Sequence, residues 1–232
     1  MPLCSGVSRT DVIANSRKII IPQSTALDPY FPNVQLLLHM EGANDANVFT
    51  DSSTAARSVT VRGNAKTKTD QYKFGASSLY LPGDTSGLEM IGGVSVGTST
   101  DCTLECWVRP ENLGGGPGGT IFGDVVVQIL RISFDDLYSF WQQEIESTNN
   151  CIVDNQWQHV AITRSSGTIR LFASGVKVAE GTGNSAEFAA RYIGYGAGAP
   201  WFRGWMDEIR WTIGVARYTA NFTPPTEPFP DA

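Results

Sequence analysis

From Val34 onward the chain is cut into short apolar runs of strand length, each closed by Gly, Asn, Asp or Ser, and no segment of about twelve residues holds a helical period. Such runs can bury their apolar atoms only by stacking sheets, so the chain is predicted to be all-β. The runs are Gln35–Glu41, Ser58–Arg62, Ser77–Leu81, Gly87–Ile91, Cys102–Arg109, Thr120–Phe122, Val125–Phe134, Leu137–Gln142, Trp157–Thr163, Ile169–Ala173, Val176–Ala179, Arg191–Ile193 and Trp205–Thr212. This number of short strands suits two packed antiparallel sheets. A single turn of helix fits only near Gly214–Tyr218.

Alternation assigns faces. In DCTLECWV the period of two puts Cys102, Leu104, Cys106 and Val108 on one side. Four strand residues separate Cys102 from Cys106 by about 13 Å, too far for a disulfide, so both read as small core side chains in a chain assembled under reducing conditions. In GWMDEIRWT the set Trp205, Asp207, Ile209 and Trp211 is the expected core face, which would place the Asp207 carboxylate among apolar neighbours. In QWQHVAITR both sets carry apolar residues, the pattern of a central strand buried on both sides.

The ends differ from the middle. Residues 1–33 contain four prolines and no sustained period, so they read as an extended arm whose one apolar cluster is Ile19-Ile20-Ile21, beside Arg17 and Lys18. Residues 34–232 form the sandwich and finish in a proline-rich tail, FTPPTEPFPDA, expected to lie across its surface held by Phe222 and Phe229. The chain carries 17 basic and 23 acidic side chains, a formal charge of −6, with eight basic and six acidic residues in the first 73. That balance argues against nucleic acid as a partner. No apolar run approaches the roughly 20 residues of a membrane span, and the N-terminus lacks the basic and apolar regions of a secretory signal.

Ten blocks in order, LLLHMEG, DSS, VTVRGNAK, KFGASSLYL, CTLECWVRP, WQHVAITR, TIRLFASGVKVA, YIGYG, GWMDEIRWT and GVARYTANFTPPTEPF, resemble the laminin-G-like or concanavalin A-like jelly-roll domain, in the variant common in proteins of tailed bacteriophages. The resemblance covers roughly residues 34–229 and implies two curved antiparallel sheets with the first strand of the domain paired to the last. The family holds lectins, adhesive modules and glycosidases, so function must be sought in sites.

Its glycosidases place their acids on one strand as ExDxxE, and no such triad occurs here: Glu105 is followed two residues later by Trp107, while Asp207-Glu208 and Asp135-Asp136 are adjacent and point to opposite faces. His39 and His159 fall in structural blocks, and the pairing of first and last strands would bring His39 or Glu41 to Asp207 as a partner for a buried carboxylate. Calcium, the family's usual ion, would draw on Asp45, Asn47 and Asp51 in GANDANVFTDSS, or on Asp124, but these lack EF-hand spacing and short polar residues equally make turns, so no metal or other cofactor is assigned. GGGPGG at 114–119 lacks the lysine of a phosphate loop and reads as a hairpin tip. Among six Trp and seven Tyr, those in RYIGYGAGAPWFRG are the candidate sugar-stacking residues: Tyr192, Tyr195 and Trp201.

The sequence therefore reads as a non-enzymatic bacteriophage virion protein, a capsid decoration or cement protein anchored by its arm, with a lectin-like sandwich facing outward towards polysaccharide. The alternative is a receptor-binding lectin module of a tail or fibre. Its expected partners are capsid or tail proteins and further copies of itself on the virion surface, reached from the host cytoplasm during assembly.

Overall fold

The computed structural model describes residues 27–113, 118–124, 127–139, 145–148, 150–182, 188–196 and 201–232. The arm candidates Arg17, Lys18, Ile19, Ile20 and Ile21, and most of the glycine-rich tip, lie outside them. In chain order a 3₁₀ turn, Phe31–Asn33, precedes β1 (Val34–Leu38), β2 (Val59–Arg62), β3 (Lys66–Lys68), β4 (Ser78–Pro82), β5 (Gly87–Val96), β6 (Cys102–Pro110), β7 (Gly119–Gly123), β8 (Gln128–Ser133), β9 (Asp136–Ser139), β10 (Ile145–Glu146), β11 (Gln158–Ser165), β12 (Thr168–Ala173), β13 (Val176–Thr182), β14 (Phe188–Ile193) and β15 (Arg203–Ile213). All thirteen expected runs are represented. The two extra strands are the edge strand β3, whose lysines carry no apolar signal but discourage edge-to-edge pairing, and the two-residue β10. The helical turn expected near Gly214–Tyr218 does not form; the chain bends there instead.

Two antiparallel sheets make the sandwich. The larger runs β13-β12-β11-β6-β15-β4-β3, with β1 also on β15; the smaller runs β10-β9-β8-β7-β14-β5-β2. The expected pairing of first and last strands is present, Leu38 opposite Ile209 and Leu37 opposite Arg210. Between the sheets lie Cys102, Leu104, Cys106 and Val108 of β6, Val160 and Ile162 of β11, and Leu88, Met90, Ile129 and Ile193 from the facing sheet. The opposite side of β11 is buried as well, as its pattern of apolar residues on both faces implies.

β15 is the spine of the larger sheet. Its residues 203–206 pair with β4 and its residues 209–212 with β1 on the same edge, while β6 runs along the other. At the changeover the register with β6 slips between Asp207 and Arg210, and Glu208 takes a positive φ of 47°. This bulge divides the face assigned to the last strand, which holds at Ile209 and Trp211 and fails before them. Before it Met206 enters the core and Trp205 turns outward against Tyr80; after it Ile209 and Trp211 enter the core. Strict alternation fails because one extra residue reverses the facing of everything beyond it.

Residues 27–33, assigned from sequence to the arm, pack against the sandwich. Phe31 joins Val34, Leu37 and Phe229 in a small apolar cluster on the outer side of β1, and the Asp28 amide donates to the Ala232 carbonyl at 2.7 Å. The proline-rich tail does lie across the sheet, with Phe229 buried there and Phe222 stacked on Tyr218 at 3.5 Å.

One glycine sets how closely β15 and β6 approach. Gly204 has φ +129°, and a Cβ there would collide with the Arg109 carbonyl oxygen. Gly204→Ala is expected to lower unfolding free energy by about 3 kcal/mol or more in urea titration, since strain and a backbone clash coincide.

Candidate functional site

Three groups of polar or aromatic side chains stand outside the main core. The first lies on the outer face of the larger sheet. β6 directs Glu105 outward because Leu104 and Cys106 on either side are core residues. Glu105 has no solvent exposure. Its Oε1 accepts from Arg210 Nε at 2.9 Å, and its Oε2 accepts from Tyr218 Oη at 2.7 Å and lies 3.1 Å from His159 Nε2. Arg210 also reaches Asp28, whose carboxylate accepts both terminal nitrogens of Arg217 at 3.1 and 2.6 Å. Burial alone would raise the Glu105 carboxyl, but Arg210, His159 and Arg217 hold it well below the usual carboxylate range. Burial and the Glu105 charge push the Tyr218 phenol up. The His159 ring is boxed edge-on by Trp107, Tyr218 and Phe222, and its Nδ1 has no hydrogen-bond partner among the described residues. The network fastens the N-terminal segment and the tail to the sheet.

The second group forms at the β15 bulge. Asp207 is buried as expected, but neither His39 nor Glu41 is its partner. Its Oδ2 accepts from the backbone amides of Lys73 and Phe74 at 2.8 and 3.1 Å, and its Oδ1 from the Glu208 amide at 2.9 Å. The bulge turns Glu208, not Asp207, towards the end of β1, so His39 Nδ1 meets Glu208 at 2.8 Å and His39 Nε2 meets Asp231 of the tail at 2.7 Å. Glu41 accepts from the Ala76 amide. Both ring nitrogens of His39 face carboxylates and must donate, the bonding of an imidazolium. Burial lowers the His39 pKa, and Glu208 and Asp231 more than offset it, raising it to about 9. For Asp207, burial and the neighbouring Glu208 charge outweigh the three amide donors, so its carboxyl titrates well above the usual range.

The calcium candidates are separated by other duties. Asp51 accepts from the amides of Leu37, Ser53 and Arg57 and ties a turn to β1, whereas Asp45 pairs with Lys66 at 2.7 Å and Lys68 at 2.9 Å. Asn47 joins neither set, and the described residues hold no cluster of three metal-ligating side chains that includes Asp124 or any other acid.

The third group lies on the outer face of the smaller sheet and contains two of the three sugar-stacking candidates. Tyr192 and Tyr195 meet edge to face at 5.1 Å. Arg62 of β2 lies 5.3 Å from the Tyr192 ring centre and 4.9 Å from that of Tyr195, and Arg191 lies 5.8 Å from Tyr192. Glu89 of β5 bridges the two guanidiniums, 3.0 Å from Arg62 Nη1 and 2.6 Å from Arg191 Nη2. Trp201 is not brought to the tyrosines: it forms an isolated bridge with Thr120, is half-buried and makes no ring contact with either among the described residues. Sequence reasoning missed Arg62, Arg191 and Glu89. Arg191 adjoins Tyr192 and would alternate away from it, but a register shift against β5 between Ala190 and Tyr192 returns it to the same side. A further aromatic set, Trp107 with Phe74 and Lys73 and Trp205 with Tyr80 and Arg109, is also absent from the sequence reading, yet both indoles are buried and their faces taken.

Two stability tests follow from these networks. Glu105→Gln would leave Arg210 and Arg217 with Asp28 as their remaining carboxylate, an expected loss of about 3–5 kcal/mol by urea denaturation. His39 has a raised folded-state pKa, so its contribution is present in full below the unfolded value near 6.5 and is lost as pH rises through about 9. The melting temperature is expected to fall over that window in the native protein and to change less in His39→Gln.

A family model described as the concanavalin A-like lectin/glucanases superfamily matches residues 82–212, more than half of the chain. No curated protein matches the sequence. Among solved structures, domain 4 of AbnA, an extracellular arabinanase of Geobacillus stearothermophilus in complex with arabinotriose, is similar with TM-score 0.54 and 20% identity over 78% of this chain and 93% of that one. The binding domain of botulinum neurotoxin serotype D superposes with TM-score 0.58 at 12% identity, covering 80% of this chain and 49% of that one. The binding domain of botulinum neurotoxin DC in complex with SialylT does so with TM-score 0.54 at 15% identity, covering 87% and 49%. The chain thus spans nearly all of the arabinanase domain and about half of each toxin chain, and at these identities the likeness is one of fold. With its two antiparallel sheets, its paired first and last strands and the matched span, the chain belongs to the concanavalin A-like lectin/glucanases superfamily.

Proposed function

We propose that this protein is a non-catalytic glycan-binding module displayed on a tailed-bacteriophage particle, where it decorates the capsid. The observation that carries the glycan-binding reading is the Tyr192–Tyr195 edge on the outer face of the smaller sheet, flanked by half-exposed arginines. Of the pair, Tyr195 is half-buried and offers part of its ring and its hydroxyl to a sugar, while the buried Tyr192 packs edge to face against it and fixes its angle. The arabinanase domain, nearly all of which this chain spans, is in complex with arabinotriose, which supports the reading by analogy.

The non-catalytic reading rests on how the carboxylates are used. A retaining glycosidase needs two carboxyl groups about 5–5.5 Å apart with room for the sugar, an inverting one a wider gap for water. On the larger sheet Glu105 is closed in by Arg210, His159 and Tyr218, and Asp207 by three backbone amides. The phage setting is supported by the ordered sequence blocks of the chain and by its acidic body joined to a mildly basic first third. The described chain ends meet at Asp28 and Ala232 against the larger sheet, so an anchor of residues 1–26 would leave the tyrosine face on the opposite sheet turned away from the particle.

The full-length protein is expected to be retarded in native gels containing host surface polysaccharide and to release no reducing ends from it. Tyr195→Ala is expected to weaken retardation several-fold with an unchanged melting temperature. Absence of retardation by every polysaccharide on a broad panel would remove the glycan-binding reading, and turnover abolished by an Asp or Glu substitution would remove the non-catalytic one. A variant lacking residues 1–26 keeps Asp28 and Phe31; it is expected to fold and to lose binding to particles stripped of the protein.

A further inference from the structure

We propose that the sugars bound at the Tyr192–Tyr195 face carry carboxylate groups, and that Arg62 and Arg191 are the residues that select them. The inference rests on the glycan-binding reading of that face and narrows it to a chemical class.

The protein is acidic overall, yet two guanidiniums converge on one aromatic edge of the smaller sheet. Among the described residues Glu89 is the one carboxylate that meets them, so the described group carries an excess positive charge. Glu89 spends each of its oxygens on a different arginine, Oε2 on Arg62 Nη1 and Oε1 on Arg191 Nη2. It therefore holds both side chains in place from the sheet side and shows that a planar carboxylate fits between these two forks. Among the described residues, the remaining guanidinium nitrogens of Arg62 and Arg191 have no hydrogen-bond partner, and Arg62 Nε is buried without one. The two side chains are 39% and 47% exposed, so their outward terminal nitrogens, unlike the buried Arg62 Nε, are within reach of a ligand lying against the half-buried Tyr195.

A guanidinium beside an aromatic ring matches an acidic sugar in two ways. Its N–H groups donate to a carboxylate in fork-to-fork geometry, while the exposed part of the aromatic ring packs on the apolar face of the pyranose. Because Glu89 already orders both arginines, little side-chain entropy remains to be lost when the ligand arrives. A neutral sugar would leave the outward donors to water and gain only from the tyrosines. Selectivity for the acid therefore comes from charge-assisted hydrogen bonds made by side chains that are already in position.

The test uses the full-length protein in affinity electrophoresis against polygalacturonate, the same polymer after chemical reduction of its carboxyl groups, dextran and dextran sulfate. Polygalacturonate is expected to retard the protein, its carboxyl-reduced form and dextran much less, with retardation falling as salt is raised. Arg62→Gln and Arg191→Gln are each expected to weaken the interaction about tenfold, the loss of one charge-assisted hydrogen bond, without a change in melting temperature. Arg191→Lys, which keeps the charge and loses the fork, is expected to recover only part of it. Equal retardation by the native and the reduced polymer overturns the carboxylate assignment while leaving glycan binding intact. Equal or stronger binding of dextran sulfate, with full recovery in Arg191→Lys, also overturns it, because the face would then read charge alone. Retardation by none of the polymers here or on a broader panel removes the glycan-binding reading together with this one.

Discussion

A carboxylate without solvent contact in the middle of a sheet face must be matched by charge and hydrogen bonds, and the way Glu105 is matched organises the larger sheet. Its partners come from three parts of the chain: His159 from the neighbouring strand, Arg210 from the last strand and Tyr218 from the tail. Arg210 and Arg217 then require Asp28, which precedes the first strand. One buried charge thus draws both described ends of the chain onto the same face. The arrangement is costly to break rather than strongly stabilising to make, because removing any one member leaves another charge buried and unpaired. Its evident consequence is to specify where the ends of the domain lie.

The bulge in β15 has a comparable reach. It marks the point where the edge partner of the strand changes from β4 to β1, and it turns Asp207 and Glu208 to different partners. Asp207 is held by the loop before β4, Glu208 accepts from His39 and the Phe229 amide, and His39 in turn reaches Asp231, closing the tail over the small cluster of Phe31, Val34 and Leu37. Titratable groups at this junction connect tail docking to pH, whereas the Glu105 network, with Arg210 and Arg217 as permanent cations, is far less sensitive to it.

The two sheets divide their outer faces. The larger is covered by the chain's own ends and uses its aromatics and acids internally. The smaller presents Tyr195 and the two arginines, which are tied together by Glu89 and by the contacts of the guanidiniums with the tyrosine rings. A module that fastens one face and presents the other is consistent with attachment on one side and recognition on the opposite one.

The all-β class, the thirteen runs, the core face of Cys102, Leu104, Cys106 and Val108 and the docking of Phe222 and Phe229 follow from local sequence, because burial on a pleated strand has a period of two that the residues themselves spell out, whereas the pairing of first and last strands was implied by the family resemblance of the ordered blocks. The same rule failed at Asp207 and at Arg191, where register slips reverse the facing and no local residue pattern announces them. It was silent on β3, whose lysines occupy an edge with no apolar face to declare. Tyr192 and Tyr195 were legible, with Trp201, as aromatic candidates of one loop-rich stretch, but the companions of the two tyrosines, Arg62, Glu89 and Arg191, come from three different strands. Partnerships of that kind, like those of Glu105 and His39, are decided by which strands lie side by side, and strand order is a property of the folded sheet alone.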